Sequence, residues 1–105
     1  MLEVVRRQSF PSALSRFQSF FAVDEATLPI CIKKLKPEKL YQIVEVEAER
    51  YEYYDMSLLK GDSYGIGLFY AEKYWAGQTS ANPIIEYLLK PPVTVTAVIQ
   101  TTSQI

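Results

Sequence analysis

The sequence predicts a small, mostly β domain with one or two short helices, on three observations. Hydrophobic residues make up 49% and charged residues 22% of the 105-residue chain, which are the proportions of a globular domain with a substantial core. Residues 40–51 alternate apolar and polar side chains, as a strand with one wet face does. Residues 93–101 are rich in β-branched side chains, which favour strands.

The N-terminal part predicts a lead-in followed by a short helix. Residues 1–11 are interpreted as a loose lead-in or an edge strand, and Pro11 then precedes an amphipathic stretch. A helix or an irregular helical turn is predicted over residues 12–22, because four apolar side chains recur there at helical spacing. They are Leu14, Phe17, Phe20 and Phe21. We interpret these aromatic residues as core, with a partner-docking face as the alternative.

The rest of the chain predicts strands and one more helix. After Asp24 to Thr27 the pattern changes from helix to strand. Strands are predicted over residues 40–51, 53–60, 64–71 and 93–101. A turn is predicted at 61–63 and a loop at 76–80, where small and polar residues cluster. Asn82 and Pro83 are suited to begin a helix that Pro91 and Pro92 end, so a helix is predicted over 83–90.

The residue types exclude several kinds of chemistry. The chain contains no histidine and a single cysteine, Cys31, so a Ser-His-Asp triad, a Cys-His pair and a zinc site of His or several thiolates are excluded. No phosphate-binding glycine loop is present. Glu45, Glu47 and Glu49 are interpreted as solvent-facing, with a metal or acid–base pair as the alternative. We therefore expect a protein that is not an enzyme, with no catalytic residues, metal or cofactor.

The sequence also predicts the compartment. No apolar run approaches the roughly 18 residues that a membrane span needs, and Arg6 and Arg7 follow the short apolar start instead of preceding it. A lone Cys31 makes an internal disulfide impossible, whereas small secreted domains usually carry several. The expected location is intracellular, in the cytoplasm or nucleus, without membrane contact.

Aromatic and basic side chains are the candidate binding residues. Tyr51, Tyr53 and Tyr54 follow Arg50 at a predicted strand-to-strand turn, where Tyr51 and Tyr53 share one face. Aromatic rings beside a cation can stack bases and contact phosphates, with cross-strand packing as the alternative interpretation. Further candidates are three aromatic residues, a cluster of four lysines, and one lysine at the end of a predicted strand. They are Tyr41, Tyr74, Trp75, Lys33, Lys34, Lys36, Lys39 and Lys73.

Charge limits which partner these residues suit. Residues 1–40 hold seven basic and four acidic side chains, whereas residues 41–105 hold four basic and eight acidic ones. The four lysines between Lys33 and Lys39 could follow a phosphate backbone, with a solvated face as the alternative. The chain's net charge of −1 is unlike that of a duplex DNA binder, and no basic recognition helix is predicted.

The predicted order of elements is that of a partly open oligonucleotide/oligosaccharide-binding (OB) barrel, which has five strands and a helix between the third and fourth. Four strands are predicted, and the fifth would come from the lead-in or from dividing one of the four. The run from Lys36 to Tyr51 looks like the first strand of such a barrel. The sequence also resembles small OB-like single-stranded DNA-binding proteins of viruses and mobile elements. The resemblance covers about 35 to 40 residues and lies in a pattern of residue types. It is carried by Lys34 and Lys36 before Tyr41 and Ile43, by the tip Arg50-Tyr51-Glu52-Tyr53-Tyr54, and by the strand end Leu68-Phe69-Tyr70-Ala71-Glu72-Lys73-Tyr74-Trp75.

The resemblance implies one OB-like domain over residues 1–105, with a lead-in at 1–27 and a five-stranded barrel at 28–105. It implies that the domain binds single-stranded nucleic acid, DNA in particular. The alternative hypothesis is a protein-interaction or assembly module on a small β-barrel, which would use an edge strand or the face of Phe17, Phe20 and Phe21. A homo-oligomer fits both hypotheses.

Overall fold

The computed structural model describes residues 2–35, 41–59 and 64–102. These residues form a mixed α/β fold with three α-helices and five strands in two sheets. The elements are α1 (Leu2–Ser9), β1 (Phe20–Ala22), α2 (Leu28–Leu35), β2 (Tyr41–Ala48), β3 (Tyr51–Asp55), α3 (Tyr64–Trp75), β4 (Ile85–Leu89) and β5 (Val93–Thr102).

The strands form one three-stranded and one two-stranded antiparallel sheet. In the first, which we call the central sheet, β4 lies between β1 and β3. In the second, β2 pairs with β5 along its whole length, and we call this pair the ribbon. The ribbon continues the β3–β4 pair, because Ala48 lies opposite Val93 and Tyr51 lies opposite Leu89. The two pairs are separated only by the short interruptions at residues 49–50 and 90–92.

The core lies between one face of the central sheet and the helices α1 and α3. Three buried aromatic rings occupy its centre. The Tyr54 ring stacks on the Tyr74 ring at 4.7 Å between centroids, and both meet Trp75 edge-on at 5.1 and 4.9 Å. Trp75 Nε1 donates a hydrogen bond to the carbonyl oxygen of Leu2 at 2.9 Å, which ties α1 to α3. Val5 is the residue of α1 that is buried against this cluster.

The predicted five-stranded OB-like barrel is wrong for the described residues. Even a partly open barrel of the OB type is built from five strands that follow one another around a single sheet. Here β1 and β3 are the two edges of the central sheet, and β2 and β5 pair only with each other. The fold is therefore mixed α/β, and the boundary of a barrel at residues 28–105 has no counterpart in it.

One predicted strand is helical, and a further helix lies in a stretch to which no strand was assigned. Residues 64–71 belong to α3, where half-buried Tyr70 and buried Ala71, Tyr74 and Trp75 recur at the i, i+3, i+4 spacing of one helix face. Residues 28–35 form α2, which begins after Asp24 accepts a hydrogen bond from the Thr27 amide at 2.8 Å. That contact satisfies an amide donor beside the helix start.

One predicted helix is a strand, residues 12–22 keep only a helical turn, and the predicted lead-in is helical. Residues 83–90 contain β4, whose residues are half-buried or buried because it is the central strand of its sheet. Residues 12–22 contain a single 3₁₀ turn at Arg16–Gln18 and then β1. The predicted lead-in forms α1, which Glu3 supports through ion pairs with Arg6 and Arg7 at 2.7 and 3.1 Å.

The remaining predictions from the pattern have mixed outcomes. The strand at 93–101 is confirmed as β5, and the strand at 40–51 is confirmed over Tyr41–Ala48. The strand at 53–60 is shorter and earlier, because β3 ends at Asp55 and a 3₁₀ turn follows at Met56–Leu58. The predicted turn at 61–63 lies outside the described residues. No helix in the described part of the chain is long and apolar enough to cross a membrane.

Candidate functional site

An aromatic surface lies on the face of the central sheet that points away from the core. Side chains alternate along β3, so Tyr54 enters the core while Tyr51 and Tyr53 point outward. Tyr87 of β4 lies directly opposite Tyr53 and therefore shares their face. We call the surface of Tyr51, Tyr53 and Tyr87 the tyrosine face.

The three rings of the tyrosine face are in contact with one another. Tyr87 is central, with its ring centroid 6.0 Å from that of Tyr51 and 5.8 Å from that of Tyr53. The interplanar angles are 52° and 45°, so the rings are tilted and none covers another. Tyr51 remains 56% exposed and Tyr53 61% exposed. Exposed π-faces held by a sheet are suited to stacking on planar ligands.

A phenylalanine of the edge strand extends this surface. Phe20 of β1 lies opposite Leu89 of β4, which in turn lies opposite Tyr51. Phe20 is 57% exposed, whereas Leu89 is buried at 7%, as expected for the middle residue of a cross-strand row. The aromatic surface therefore crosses all three strands of the central sheet.

Two cations lie at one end of the tyrosine face, together with the carboxylate of Glu52, which pairs with Arg50 at 3.4 Å. Arg50 and Lys90 flank the end at Tyr51 and are exposed, and their backbones are joined by a 3.0 Å hydrogen bond from the Lys90 amide to the Arg50 carbonyl. Arg50 Nη2 donates to the Ser12 carbonyl at 2.8 Å, which directs part of its guanidinium toward the core side of the sheet. Exposed Asp24 follows β1 at the other end.

Three of the predicted stacking residues are buried in the structure. Tyr54, Tyr74 and Trp75 are 8%, 0% and 4% exposed, because they form the aromatic core between the sheet and α3. Burial, followed by the hydrogen bond that its hydroxyl donates to Glu52 at 2.9 Å, raises the pKa of Tyr54. A neutral, buried ring of this kind stabilises the fold and is not accessible for stacking.

Among the predicted basic residues that the structure describes, Arg50 lies beside the tyrosine face, whereas the lysines lie on helices. Lys33 is exposed on α2, and Lys34 lies in the same helix. Lys36 and Lys39 lie outside the described residues. Tyr41 is the first residue of β2, at the end of the ribbon remote from β3. Lys73 lies on α3, where its Nζ is 4.8 Å from the centre of the Phe69 ring.

The buried carboxylates serve hydrogen-bond networks instead of an open site. Asp55 is 1% exposed and accepts from the amides of Ser57, Ser80 and Ile84 at 2.9, 2.7 and 2.9 Å. Ser57 Oγ also donates to Asp55 Oδ1 at 2.6 Å. Burial alone would raise the pKa of Asp55, but these hydrogen bonds outweigh it and hold the pKa well below its usual range. Asp55 therefore joins the end of β3 to the segment before β4.

Glu86 is the second buried carboxylate, and it faces the core from β4. It accepts from Tyr74 Oη at 2.6 Å and from Arg16 Nη1, which also donates to Tyr74 Oη at 2.8 Å. Burial, followed by the hydrogen bond to Glu86, raises the pKa of Tyr74. The Arg16 guanidinium lies 4.7 Å from the centre of the Phe21 ring. Among the described residues, no cluster of three or more His, Cys, Asp or Glu side chains is arranged to hold a metal ion.

Sequence reasoning missed two members of the aromatic surface, Phe20 and Tyr87. Both were assigned to predicted helices, where they had no relation to Tyr51 or Tyr53. A usable signal was present, because the five residues of β4 lie between Pro83 and Pro91, and a short apolar run bounded by prolines is typical of a buried strand. Strand pairing then brings Tyr87 next to Tyr53.

The fold and this surface define a small mixed α/β domain that carries an exposed aromatic sheet face. Residues 1–101 match the family described as "Protein of unknown function (DUF2441)", and the chain belongs to that family. None of the curated proteins matches the chain.

Proposed function

We propose that this chain is a non-catalytic domain that binds single-stranded nucleic acid by stacking bases on the tyrosine face. The observation that carries the proposal is the exposure of Tyr51 and Tyr53 on either side of the Tyr87 ring. Every base has a π-face, so such a surface accepts bases with little regard to sequence. Sheets that present aromatic rings are an established way to stack two or three bases of a single strand.

The geometry suits a single strand better than a duplex. Tyr51 and Tyr53 are two residues apart on one strand, which spaces them by roughly 7 Å along the sheet. Unstacked bases of an extended strand can reach separate rings at this spacing, whereas the bases of a duplex are covered by their own neighbours.

The charge near the tyrosine face predicts weak salt dependence. Arg50, which also bonds Ser12 and Glu52, and Lys90 are the cations at its end. At most two phosphate contacts therefore form, and the slope in a plot of log affinity against log salt concentration is no steeper than about −1.4. Affinity for an oligonucleotide should therefore fall by no more than about sevenfold between 50 and 200 mM salt. A much steeper slope would mean that other basic residues, such as the lysines at 33–39, carry the contact.

Replacing Tyr53 by Ala should weaken binding of a labelled oligothymidine by about 5- to 150-fold, because one stacking ring contributes roughly 1–3 kcal/mol. Fluorescence anisotropy of the labelled oligonucleotide is the appropriate measurement, since Trp75 is 4% exposed and lies in the core. Tyr53→Phe keeps the ring and should stay within about threefold of the wild type.

The matched control is Phe69→Ala, because Phe69 is 55% exposed on α3 and lies outside the tyrosine face. This variant should bind the oligonucleotide as the wild type does. Equal losses in Tyr53→Ala and Phe69→Ala would show that binding does not depend on the tyrosine face. Absence of binding by the wild type at 50 mM salt would reject the proposed function altogether.

A protein-interaction module is the second candidate, and one observation favours it. Phe17, Phe20 and Phe21 are 83%, 57% and 52% exposed, which is unusual for aromatic residues so close together. Phe20 and Phe21 are adjacent in β1 and so point to opposite sides of the central sheet. The three rings therefore form no single helical face, and a protein partner would contact them around the edge strand β1. This candidate replaces the first if the wild type fails to bind the oligonucleotide.

A further inference from the structure

Phe20 occupies a position on β1 that corresponds to the position of Tyr51 on β3. Both residues lie directly opposite Leu89 of β4, one on each side of it. Directly opposite residues of antiparallel strands point to the same face of the sheet, so Phe20 shares the face of Tyr51. Phe20 and Tyr51 are therefore both diagonal neighbours of Tyr87, a relation in which Cα atoms lie roughly 7–8 Å apart.

The residues on the two sides of Tyr87 differ in size. On the β3 side, Tyr53 lies opposite Tyr87, and the two ring centroids are 5.8 Å apart. On the β1 side, the residue opposite Tyr87 is Ala22, which is half-buried and carries only a methyl group. Ala22 therefore forms a low point of the surface, bordered by Tyr87 across the strand pair and by Phe20 two residues before it.

The Phe20 ring is as accessible as the rings of the tyrosine face. It is 57% exposed, compared with 56% for Tyr51 and 61% for Tyr53. The next residue, Phe21, points to the opposite side of the sheet, where the Arg16 guanidinium lies 4.7 Å from the centre of its ring. The fold thus uses Phe21 for packing, whereas the π-face of Phe20 is available to a ligand.

We propose that Phe20 is a third stacking position, and that the ligand is a single strand of three or more nucleotides that crosses the strands of the central sheet. This inference rests on the proposed function and adds the path and the minimum length of the bound strand. Tyr53, Tyr87 and Phe20 lie on the neighbouring strands β3, β4 and β1. They therefore span two strand spacings of about 4.8 Å each, and a strand that places bases on Tyr53 and Tyr87 reaches Phe20 with the following base.

A path along β3 would meet fewer rings. The outward positions before Tyr51 and after Tyr53 are Glu49 and Asp55. Glu49 is exposed and repels phosphates, and Asp55 is buried in its own hydrogen-bond network. A path across the sheet stays on aromatic and apolar residues from β3 to β1, so it offers the longer run of stacking positions.

The experiment is competition of unlabelled oligothymidines, about two to eight nucleotides long, against a labelled oligothymidine, measured by fluorescence anisotropy. For the wild type, affinity should rise steeply up to about three or four nucleotides and slowly beyond that length. Phe20→Val removes the ring but keeps a residue that favours strands. It should weaken binding of the eight-nucleotide strand by about 5- to 150-fold and that of the dinucleotide by less than about twofold, because the tyrosine face alone holds two bases.

The matched control is Phe17→Val, because Phe17 is 83% exposed in the 3₁₀ turn at Arg16–Gln18 and lies outside the central sheet. This variant should bind every length as the wild type does. Phe20→Tyr keeps the ring and should stay within about threefold of the wild type. An unchanged circular dichroism spectrum of Phe20→Val shows that the sheet persists.

The outcomes separate this inference from the proposed function. If Tyr53→Ala weakens binding of the eight-nucleotide strand while Phe20→Val does not, the third stacking position is overturned and the proposed function stands. Equal losses in Phe20→Val and Phe17→Val would also overturn it. If the wild type binds none of the strands, the proposed function fails, and this inference fails with it.

Discussion

Replacing Asp55 by Ala is expected to lower the free energy of unfolding by about 3–5 kcal/mol, which is a large share of the stability of a small domain. The carboxylate accepts three backbone amides and the Ser57 hydroxyl, and it is 1% exposed. Removing it leaves several buried donors without an acceptor, and each of these costs about 1–3 kcal/mol. Asp55→Asn should cost nearly as much, because its amide group presents donors toward donors.

Asp55 should also make the free energy of unfolding depend on pH. Hydrogen bonds hold the folded-state pKa of Asp55 below that of the unfolded chain, which is about 3.9. The stabilisation is therefore fully present above the unfolded-state pKa and is lost as the pH falls toward the folded-state pKa. Glu3, whose pKa is lowered to about 2 chiefly by the hydrogen bond from Arg6, contributes in the same window. The difference in pH dependence of the free energy of unfolding between wild type and Asp55→Asn gives the contribution of Asp55.

Urea unfolding at pH 7, 5 and 3 measures both effects. The wild type should lose stability between pH 5 and 3, and Asp55→Asn should lose less over that interval. Glu47→Gln is the control, because Glu47 is exposed on the ribbon, and it should unfold within about 0.5 kcal/mol of the wild type. Parallel pH profiles for the wild type and Asp55→Asn would show that the Asp55 network does not stabilise the fold.

Replacing Arg16 by Ala is expected to destabilise the protein by about 3–5 kcal/mol, because Glu86 is left as an uncompensated charge in the core. The Glu86 side chain is 7% exposed and that of Arg16 is 24% exposed, so the pair is partly shielded from water. The guanidinium also packs against the Phe21 ring, so its loss removes packing as well as charge.

A double replacement separates the ion pair from the packing. Arg16→Met with Glu86→Leu removes both charges, and this variant should lose less stability than Arg16→Ala, since an apolar pair of similar volume can replace a buried ion pair. The buried Tyr74 hydroxyl loses its acceptor in this variant, which costs about 1–3 kcal/mol. Urea denaturation of Arg16→Met, of Glu86→Leu and of the double variant completes the double-mutant cycle. Additive losses in the cycle would contradict the proposed coupling of Arg16 and Glu86.

Alternation of apolar and polar residues predicted strands correctly where the strand was long and its two faces differed in polarity. The alternation of Val44, Glu45, Val46 and Glu47 predicts β2, and the β-branched run predicts β5, and both strands are present. A continuous pattern of this length leaves few alternatives, because a shift of one residue would exchange the two faces of the strand. The pattern does not show that the two strands pair with each other, which depends on contacts far apart in sequence.

Short apolar segments were assigned to the wrong type. Residues 64–71 fit a strand on one face, yet Tyr70, Ala71, Tyr74 and Trp75 fit a helix equally well, and the window to Trp75 decides for the helix. Residues 83–90 contain good helix formers, yet hydrogen bonding to β1 and β3 on both sides makes β4 a strand. In both segments tertiary contacts outweigh local propensity.

The candidate surface was also predictable from the sequence only in part. The sequence by itself determined that Tyr51 and Tyr53 share a face and that Tyr54 takes the other, because alternation along a strand is a property of the backbone. It also excluded histidine chemistry by composition alone. Only the tertiary structure decided that Tyr54, Tyr74 and Trp75 enter the core while Tyr87 joins the outer surface. The physical reason is that the exposure of a side chain depends on which element covers it, and the cover here comes from α3, which lies elsewhere in the sequence.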